Sequence, residues 1–457
     1  MEVQQTGRVI DVAGVVDQRG LGSHNLRVIG LSWLITAFDG LDQLLFGFTV
    51  PYIEEQLHLG FEKIGYVSSA TMAGMVLGGF VATWFADRIG RRPAIVWTSF
   101  AFGLLTLATA WADSYGTLLG LRFLTGIATG GMLPLAWALN IEFVPRRLRA
   151  TVVTIIMVGY SLGGALAAPL TNAIAPAHGW QAVYLLAGIA TVACAAALLL
   201  WLPESIRFLA LRGQRGQQLA RSVNRLDPSV AASATDRFVV GDEVAEAAGP
   251  VPLARIFAGR LRYITPLLWM GYFSSTTAAF YGATWGPSVL ELMHVPRQTA
   301  ALLPAFASLS GAALGLVLMR FTDRLGPRAI ALFPTLALPL MLAIGFGWVP
   351  PAALLPAAAI AAMLVTVEHF GMHSIAGIYY PLGIRARGGG VATSVAKLGA
   401  IVGPIAIGHA LGAGMPAMRA YALLALCPAL TLASVLGIAA VLRAPATIAT
   451  AARPHAS

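Results

Sequence analysis

Charged side chains are scarce in this sequence. Asp, Glu, Lys and Arg make up only 11% of its 457 residues, and hydrophobic residues make up 57%. A soluble domain carries roughly 25% charged residues, so this composition excludes a soluble globular protein and is typical of an integral membrane protein. Lysine is the rarest charged residue, because only Lys63 and Lys397 stand against 28 arginines.

Cysteines and processing signals are also nearly missing. Cys194 and Cys427 both lie in apolar runs, which argues against a disulfide framework and favours membrane-embedded small hydrophobes. The first 26 residues carry mixed charge and no small-residue cleavage site, so no removable signal peptide is predicted. Residues 203–262 contain no nucleotide-binding loop, so coupling to ATP has no visible basis.

What the sequence does contain is a series of apolar runs of about 20 residues, the length that crosses a bilayer. They predict an all-α membrane protein with twelve transmembrane helices in two pseudo-symmetric six-helix bundles. The domains are predicted at 1–202 and 263–457, joined by a polar cytoplasmic linker at 203–262. The predicted spans lie near residues 28–50, 64–86, 93–111, 117–141, 151–174, 181–202, 263–285, 299–319, 329–348, 354–378, 390–411 and 418–442.

Basic residues are distributed unevenly between the two predicted faces of the membrane. Lys63, Arg297 and Arg419 lie in hairpins predicted outside, and Arg122 and Lys397 lie inside apolar runs. The other 25 of the 30 basic residues lie at the chain ends or in hairpins predicted inside. This asymmetry places both termini in the cytoplasm. It also explains the net charge of +10 without nucleic-acid binding. We call the two ends of the helices the inner and the outer end accordingly.

The two halves of the chain are repeats of one unit. Residues 51–58 align with residues 287–294 at an offset of 236, and the same offset carries 87–90 onto 323–326. A constant offset predicts a six-helix unit used twice, with the repeats parallel across the membrane. Turn and charged residues at the inner end form a candidate gate. The alternative is that these residues only anchor the topology of the chain in the membrane. They are Asp87, Arg88, Gly90, Arg92, Glu142, Arg149, Asp323, Arg324, Arg328 and Arg385. Glu142 is expected to join Asp87 and Arg92 in one cluster.

Two carboxylates interrupt the first apolar run. Asp39 and Asp42 are spaced three apart and therefore share one face of a helix. An acidic residue in the membrane costs a few kcal/mol and normally faces a cavity or a partner. The fourth apolar run contains Arg122 at a similar depth, and we predict an Asp42–Arg122 ion pair. The alternative is that one carboxylate merely neutralises a buried arginine.

The second half has intramembrane polar residues of its own. Glu368, His369 and His373 lie in the tenth span and Lys397 in the eleventh, and none is repeated in the first half. Unrepeated charges favour function over architecture. The histidines at i and i+4 suit proton handling; the alternatives are cavity lining without titration and a zinc site, for which no third ligand is apparent. Candidate residues for ring stacking or plain packing in the seventh span are Tyr272, Phe280 and Tyr281.

The hairpin at residues 85–92, FADRIGRR, resembles the hallmark loop of the major facilitator superfamily, although Thr83 stands where that family usually has glycine. The segments 10–21, 38–51, 202–213 and 379–386 are together similar to the aromatic acid:proton symporters of bacteria. That resemblance implies a role in transport for Asp39, Asp42 and Arg122. The chain departs from the family at Glu368 to His373, and at Lys397, where arginine is usual.

These observations predict a proton-coupled symporter that imports a small organic carboxylate, and the resemblance implies an aromatic acid. The expected partners are this acid, protons and the lipid bilayer, with no cofactor, metal or nucleic acid. The protein is expected to be a monomer in the bacterial inner membrane. The alternatives are the same fold carrying a non-aromatic acid or exporting drugs, a membrane sensor that binds without carrying, and an intramembrane enzyme.

Overall fold

Helices make up almost all of the computed structural model, which describes residues 8–18, 20–212, 216–239, 252–325 and 328–443. Each predicted span is helical over most of its length, because apolar side chains can enter a bilayer only when the backbone satisfies its own hydrogen bonds. The helices are α1 (Val12–Gln18), α2 (Ser23–Leu57), α3 (Phe61–Ile89), α4 (Arg91–Thr109), α5 (Tyr115–Thr129), α6 (Met132–Phe143), α7 (Arg149–Trp201), α8 (Ile206–Arg212), α9 (Gly216–Leu226), α10 (Leu261–Leu292), α11 (Arg297–Leu325), α12 (Arg328–Gly345), α13 (Pro351–Tyr379), α14 (Leu382–Gly412), α15 (Ala417–Leu424) and α16 (Leu426–Arg443).

The helix boundaries differ from the predicted spans at three places. The fourth span is split at Gly130 and Gly131 into α5 and α6, and the twelfth is split at Ala425 into α15 and α16. The fifth and sixth spans run together as α7, which bends at Gly179, where φ is 77°. Only glycine adopts that φ readily, so this residue lets the chain turn between the two spans. Among the described residues, eight helical segments are long and apolar enough to cross a membrane.

Two short strands were not predicted. Strand β1 (Val9–Asp11) pairs in parallel with strand β2 (Arg237–Val239), which lies in the segment predicted as a linker. Ile10 and Val12 are buried in the same hydrophobic cluster as Leu219 and Val223 of α9. Asp17 of α1 forms an ion pair with Arg146, with 3.1 Å between its Oδ2 and the arginine Nε. Residues 8–18 and part of the linker are therefore folded together.

Contacts divide the chain into two compact units. The first consists of Met1–Asp42, Ala73–Gly164 and His178–Gly249, and the second of Gln43–Met72, Ala165–Ala177 and Pro250–Ser457. The second unit has a core in which α10 packs against α13, α14 and α16. This division follows contacts and not the sequence repeat, so the predicted domain bounds at residues 202 and 262 stay a prediction.

Candidate functional site

Asp39 and Asp42 lie one turn apart on α2 and are almost fully buried, with 3% and 4% of their surface exposed. Gly40 lies between them and faces the neighbouring helix α7. A Cβ atom there would lie 2.0 Å from the carbonyl oxygen of Tyr160, so the backbone of α7 touches α2 at this point. Only glycine permits this approach. The close contact fixes the height and rotation at which the two carboxylates are presented.

Arg122 of α5 meets Asp42 as the sequence predicts. Its Nη1 donates to both carboxylate oxygens of Asp42 at 3.0 Å, and Arg122 is 1% exposed. Thr106 of α4 donates a longer hydrogen bond of 3.4 Å to the same carboxylate. The guanidinium of Arg122 also lies over the ring of Tyr184, 6.0 Å from its centroid. The predicted ion pair is thus present, and its cation is held by an aromatic face as well.

Asp39 has no comparable cation among the described residues. Its Oδ2 is buried without a hydrogen-bond partner. Tyr160 lies close enough to interact electrostatically with both Asp39 and Asp42. A buried carboxylate with an unmatched oxygen is costly as an anion. The charge of Asp42 is thus balanced by Arg122, whereas the structure describes no such partner for Asp39.

A second polar cluster lies on α13. Glu368 is 0% exposed, lies beside Thr431 of α16, and has neither carboxylate oxygen in a hydrogen bond of ordinary geometry. The rings of His369 and His373 lie 4.5 Å apart, centroid to centroid. Tyr272 of α10 lies 5.0 Å from the His373 ring and donates a hydrogen bond of 3.1 Å to its carbonyl oxygen. The three side chains therefore form a row in which Tyr272 contacts His373 and His373 contacts His369.

The three aromatic candidates of α10 do not form one group. Tyr281 follows Tyr272 by nine residues, which rotates it about 180° around the helix. It packs against Tyr421 of α15, with 6.5 Å between ring centroids, and its hydroxyl is buried without a hydrogen-bond partner. Phe280 and Lys397 are both half-buried. Tyr272 is the one aromatic candidate that meets the histidine pair.

A metal site finds no support in the described part of the chain, where no group of three or more His, Cys, Asp or Glu side chains converges. His369 and His373 provide two nitrogen ligands, whereas protein zinc sites use three or four protein ligands.

At the inner end, Gly90 ends the turn between α3 and α4. Its φ is 111°, and a Cβ atom there would lie 2.4 Å from Glu204 Oε2. Glu204 accepts a hydrogen bond of 3.0 Å from the backbone nitrogen of Arg92 and so caps the start of α4. Arg92 in turn donates from Nη2 to the carbonyl oxygen of Leu199 at 2.6 Å. Gly90 and Arg92 thus connect the α3–α4 turn to the end of α7.

The predicted cluster of Glu142 with Asp87 and Arg92 needs a correction. Glu142 is 7% exposed and forms its ion pair with Arg91, and it also accepts a hydrogen bond from Ser205. Consecutive arginines on a helix point about 100° apart, so the side chain of Arg91 faces α6 while that of Arg92 reaches Leu199 of α7. Asp87 acts on Arg91 electrostatically, and Arg88 stacks on Trp84 at 3.9 Å.

The side chains of only two second-half gate residues, Arg328 and Arg385, are within the described part of the structure. Asp323 and Arg324 lie in the last turn of α11, and their side chains are outside the described part of the structure, as is Gly326. Arg328 begins α12 and is exposed. Arg385 donates to the carbonyl oxygen of Tyr380 at 3.2 Å. Arg149 begins α7, and its Nε is buried without a hydrogen-bond partner among the described residues.

An ion-pair cluster at the outer end was missed. Arg297, the first residue of α11, donates from Nε to both oxygens of Glu291 at 2.9 and 3.0 Å, and from Nη1 to Glu55 at 3.3 Å. Its guanidinium also lies 4.7 Å from the ring centroid of Tyr52. The repeat offset of 236 carries Glu55 onto Glu291, so one unrepeated arginine joins two repeat-related carboxylates. The alignment of these two carboxylates was the feature of the sequence that could have indicated the cluster. We call Arg297, Glu55 and Glu291 the outer latch.

Comparison with known proteins identifies the family. The model of the Major Facilitator Superfamily matches residues 32–404. The chain belongs to the major facilitator superfamily. It is a multi-pass membrane transporter and not an enzyme. A protein named 4-hydroxybenzoate transporter PcaK from Pseudomonas putida is 32% identical over 89% of this chain and 91% of its own length. A gallate transporter from the same organism is 31% identical over 91% and 92%.

Solved structures support the same superfamily fold. A bacterial homolog of the human lysosomal transporter Spinster, in an inward-facing and occupied conformation, has a TM-score of 0.72 at 15% identity, covering 93% of this chain and 98% of that one. The xylose transporter XylE from E. coli has a TM-score of 0.68 at 15% identity, with 90% and 97% covered. At these identities the likeness concerns the fold of this superfamily member and not its cargo.

We expect Arg297→Gln to loosen the outer latch, because the variant keeps the polar head but loses the charge that attracts Glu55 and Glu291. A cysteine introduced at Ser68, which is 8% exposed and hydrogen-bonded to Thr284, reports on access from outside. Labelling by a membrane-impermeant thiol reagent should become about five-fold faster.

Arg419→Gln is the matched control for this experiment, since it removes the same charge at the outer end from an exposed arginine that lies over Phe346. It should leave the labelling rate unchanged. Equal rates in Arg297→Gln and Arg419→Gln would show that the latch does not hold the outer ends together.

Proposed function

We propose that this protein is a proton-coupled symporter that imports a small aromatic carboxylate across the bacterial inner membrane. The observation that carries the proposal is the buried Asp42–Arg122 ion pair. The curated relatives add the substrate class, since three of them are named for 4-hydroxybenzoate, gallate and 3-(3-hydroxy-phenyl)propionate. Both termini are proposed to lie in the cytoplasm, where most basic residues then also lie.

The exchange of partners at Arg122 is the proposed coupling step. An anion that enters a low-dielectric site needs a cation there, and Arg122 is fully buried and always charged. A guanidinium can donate two parallel hydrogen bonds to a carboxylate. When Asp42 takes up a proton, its pull on Arg122 falls, and the substrate carboxylate replaces it. Asp39 is one turn away and is proposed to accept or pass on the same proton.

The polar cluster on α13, which consists of Glu368, His369 and His373, is proposed to take part in the same transport pathway from the second half of the chain. Within the part of the chain that the structure describes, Glu368 has no cation in hydrogen-bond contact, and the buried Nδ1 of His369 has no hydrogen-bond partner. These groups are proposed to exchange protons through His373. Tyr272 and His373 together offer aromatic faces for a benzoate-like ring. Lys397 on α14 is proposed as a second cation for the substrate, with Phe280 and Tyr281 as further lining.

Alternating access between bundles 1–202 and 263–457, connected by residues 203–262, is the proposed transport cycle. The inner cluster of Arg91, Glu142 and Ser205 and the outer latch lie at opposite ends of the predicted spans. Each contains a buried or half-buried ion pair that can open and reform. Their opening in turn would expose the substrate site to one side at a time.

Uptake into membrane vesicles tests the proposal. Labelled 4-hydroxybenzoate should accumulate against its gradient when the vesicle interior is alkaline relative to the outside, and a protonophore should abolish accumulation. An excess of unlabelled gallate or benzoate should compete. A non-aromatic dicarboxylate that competes as strongly would favour the rival substrate class. Saturable binding without accumulation would instead identify a sensor.

A further inference from the structure

A cavity of about 450 Å³ lies outside the proposed transport site. It lies where α2 begins, α7 ends and the linker helix α9 passes, which is the predicted inner end. The parts of these helices that line it belong to the first compact unit. We call it the inner-end cavity. Its lining residues are Ser23, His24, Arg27, Leu200, Trp201 and Arg225.

The lining of the inner-end cavity is positive. Among the described residues, it holds two arginines and a histidine and no carboxylate. Arg27 and Arg225 are close enough for both to act electrostatically on His24. Among the residues that the structure describes, neither arginine forms an ion pair, although ion pairs join Arg8, Arg91 and Arg146 to acids in the same unit. Two arginines that converge without a carboxylate repel each other, and an anion between them removes that cost.

The start of α2 adds to this preference for an anion. Ser23 and His24 are the first residues of this 35-residue helix, where the helix dipole is positive and backbone N–H groups point outward. The ring of His24 is fixed edge-on against Phe143 at 5.7 Å. Its Nε2 is buried and has no hydrogen-bond partner in the described part of the chain. A hydrogen-bonding nitrogen is therefore held in place at the cavity wall.

The apolar side of the inner-end cavity distinguishes a lipid from a soluble anion. Leu200 and Trp201 end α7 and are 70% and 57% exposed. Tryptophan is enriched at the level of lipid headgroups, and basic pockets beside membrane helices bind lipid head groups. We propose that the inner-end cavity binds the phosphodiester of an anionic phospholipid of the cytoplasmic leaflet between Arg27 and Arg225, with its acyl chains along Leu200 and Trp201.

Lipid titration of the purified full-length protein tests this site. Native mass spectrometry should show saturable binding of phosphatidylglycerol that is tighter than binding of phosphatidylcholine. The double variant Arg27→Gln/Arg225→Gln should bind phosphatidylglycerol about 30-fold more weakly. Arg27→Lys/Arg225→Lys keeps both charges and should keep most of the affinity, which distinguishes a lost contact from misfolding.

The matched control is Arg147→Gln/Arg221→Gln, which removes two exposed arginines from the same end of the protein but outside the cavity lining. It should leave phosphatidylglycerol binding unchanged. Equal affinity in the two glutamine variants would overturn the site. Inorganic phosphate or sn-glycerol 3-phosphate that binds as tightly as phosphatidylglycerol, and competes with it, would overturn the lipid and assign a free phosphate.

Discussion

Uptake should fall by at least about 100-fold in Asp42→Asn, because the variant leaves Arg122 buried without its carboxylate and removes the proton-binding group. Breaking one side of a buried ion pair costs about 3–5 kcal/mol, and each 1.4 kcal/mol corresponds to a factor of ten. The measurement is the initial rate of proton-driven uptake of the acid identified in vesicles, at several external pH values. A normal rate with unaltered pH dependence would contradict the coupling role of Asp42.

Two further variants separate folding from coupling in that experiment. Asp113→Asn makes the same change at an exposed outer-end residue and should transport normally. Asp42→Asn/Arg122→Gln removes both charges, so its thermal midpoint should recover toward that of the parent protein while uptake stays lost. Recovery of uptake in the double variant would mean that the pair is structural only.

Gly163→Ala should strongly destabilise the protein. A Cβ atom at this position would lie 1.8 Å from the carbonyl oxygen of Ala37, so the added methyl group overlaps the backbone of α2. No rotamer change relieves a clash with backbone, and overpacking costs about 1–3 kcal/mol or more. The gain in helix propensity from glycine to alanine, at most about 1 kcal/mol, does not offset it. The expected result is a lower midpoint of thermal unfolding.

Gly120→Ala is the matched control for Gly163→Ala. Gly120 lies in α5 and has nothing within 4 Å of the added Cβ atom, so only the helix-propensity term remains. The midpoint should stay the same or rise slightly. If both variants shifted the midpoint equally, the close approach of α2 and α7 would not be the cause.

The span pattern and the central ion pair were accessible from the sequence because both follow from the cost of polar groups in lipid. Apolar runs of spanning length must be helical, and a buried arginine requires a carboxylate at its depth. Asp42 and Arg122 were the matching pair in the first half. The breaks at Gly130 and Gly179 were not accessible, since glycine is common within membrane helices and does not by itself show a turn.

The sequence does not show which of two adjacent arginines forms the ion pair with Glu142. Arg91 and Arg92 are adjacent and have the same chemistry, and the rotation of α4 alone decides that Arg91 pairs with Glu142. Strands β1 and β2 have three residues each and are separated by more than 220 positions, so neither carries a local signal. Arg297 was counted only as an outer-hairpin charge, although the repeat had already aligned its two carboxylate partners.

The pairing of β1 with β2 has a consequence for biosynthesis. Val9 pairs with Arg237, so the first strand leaves the ribosome long before its partner exists, and six membrane segments must be inserted in between. Until residue 239 has been translated, Ile10 and Val12 cannot complete the hydrophobic cluster they share with the linker. The pairing of β1 with β2 can therefore form only after the first half of the protein has been synthesised.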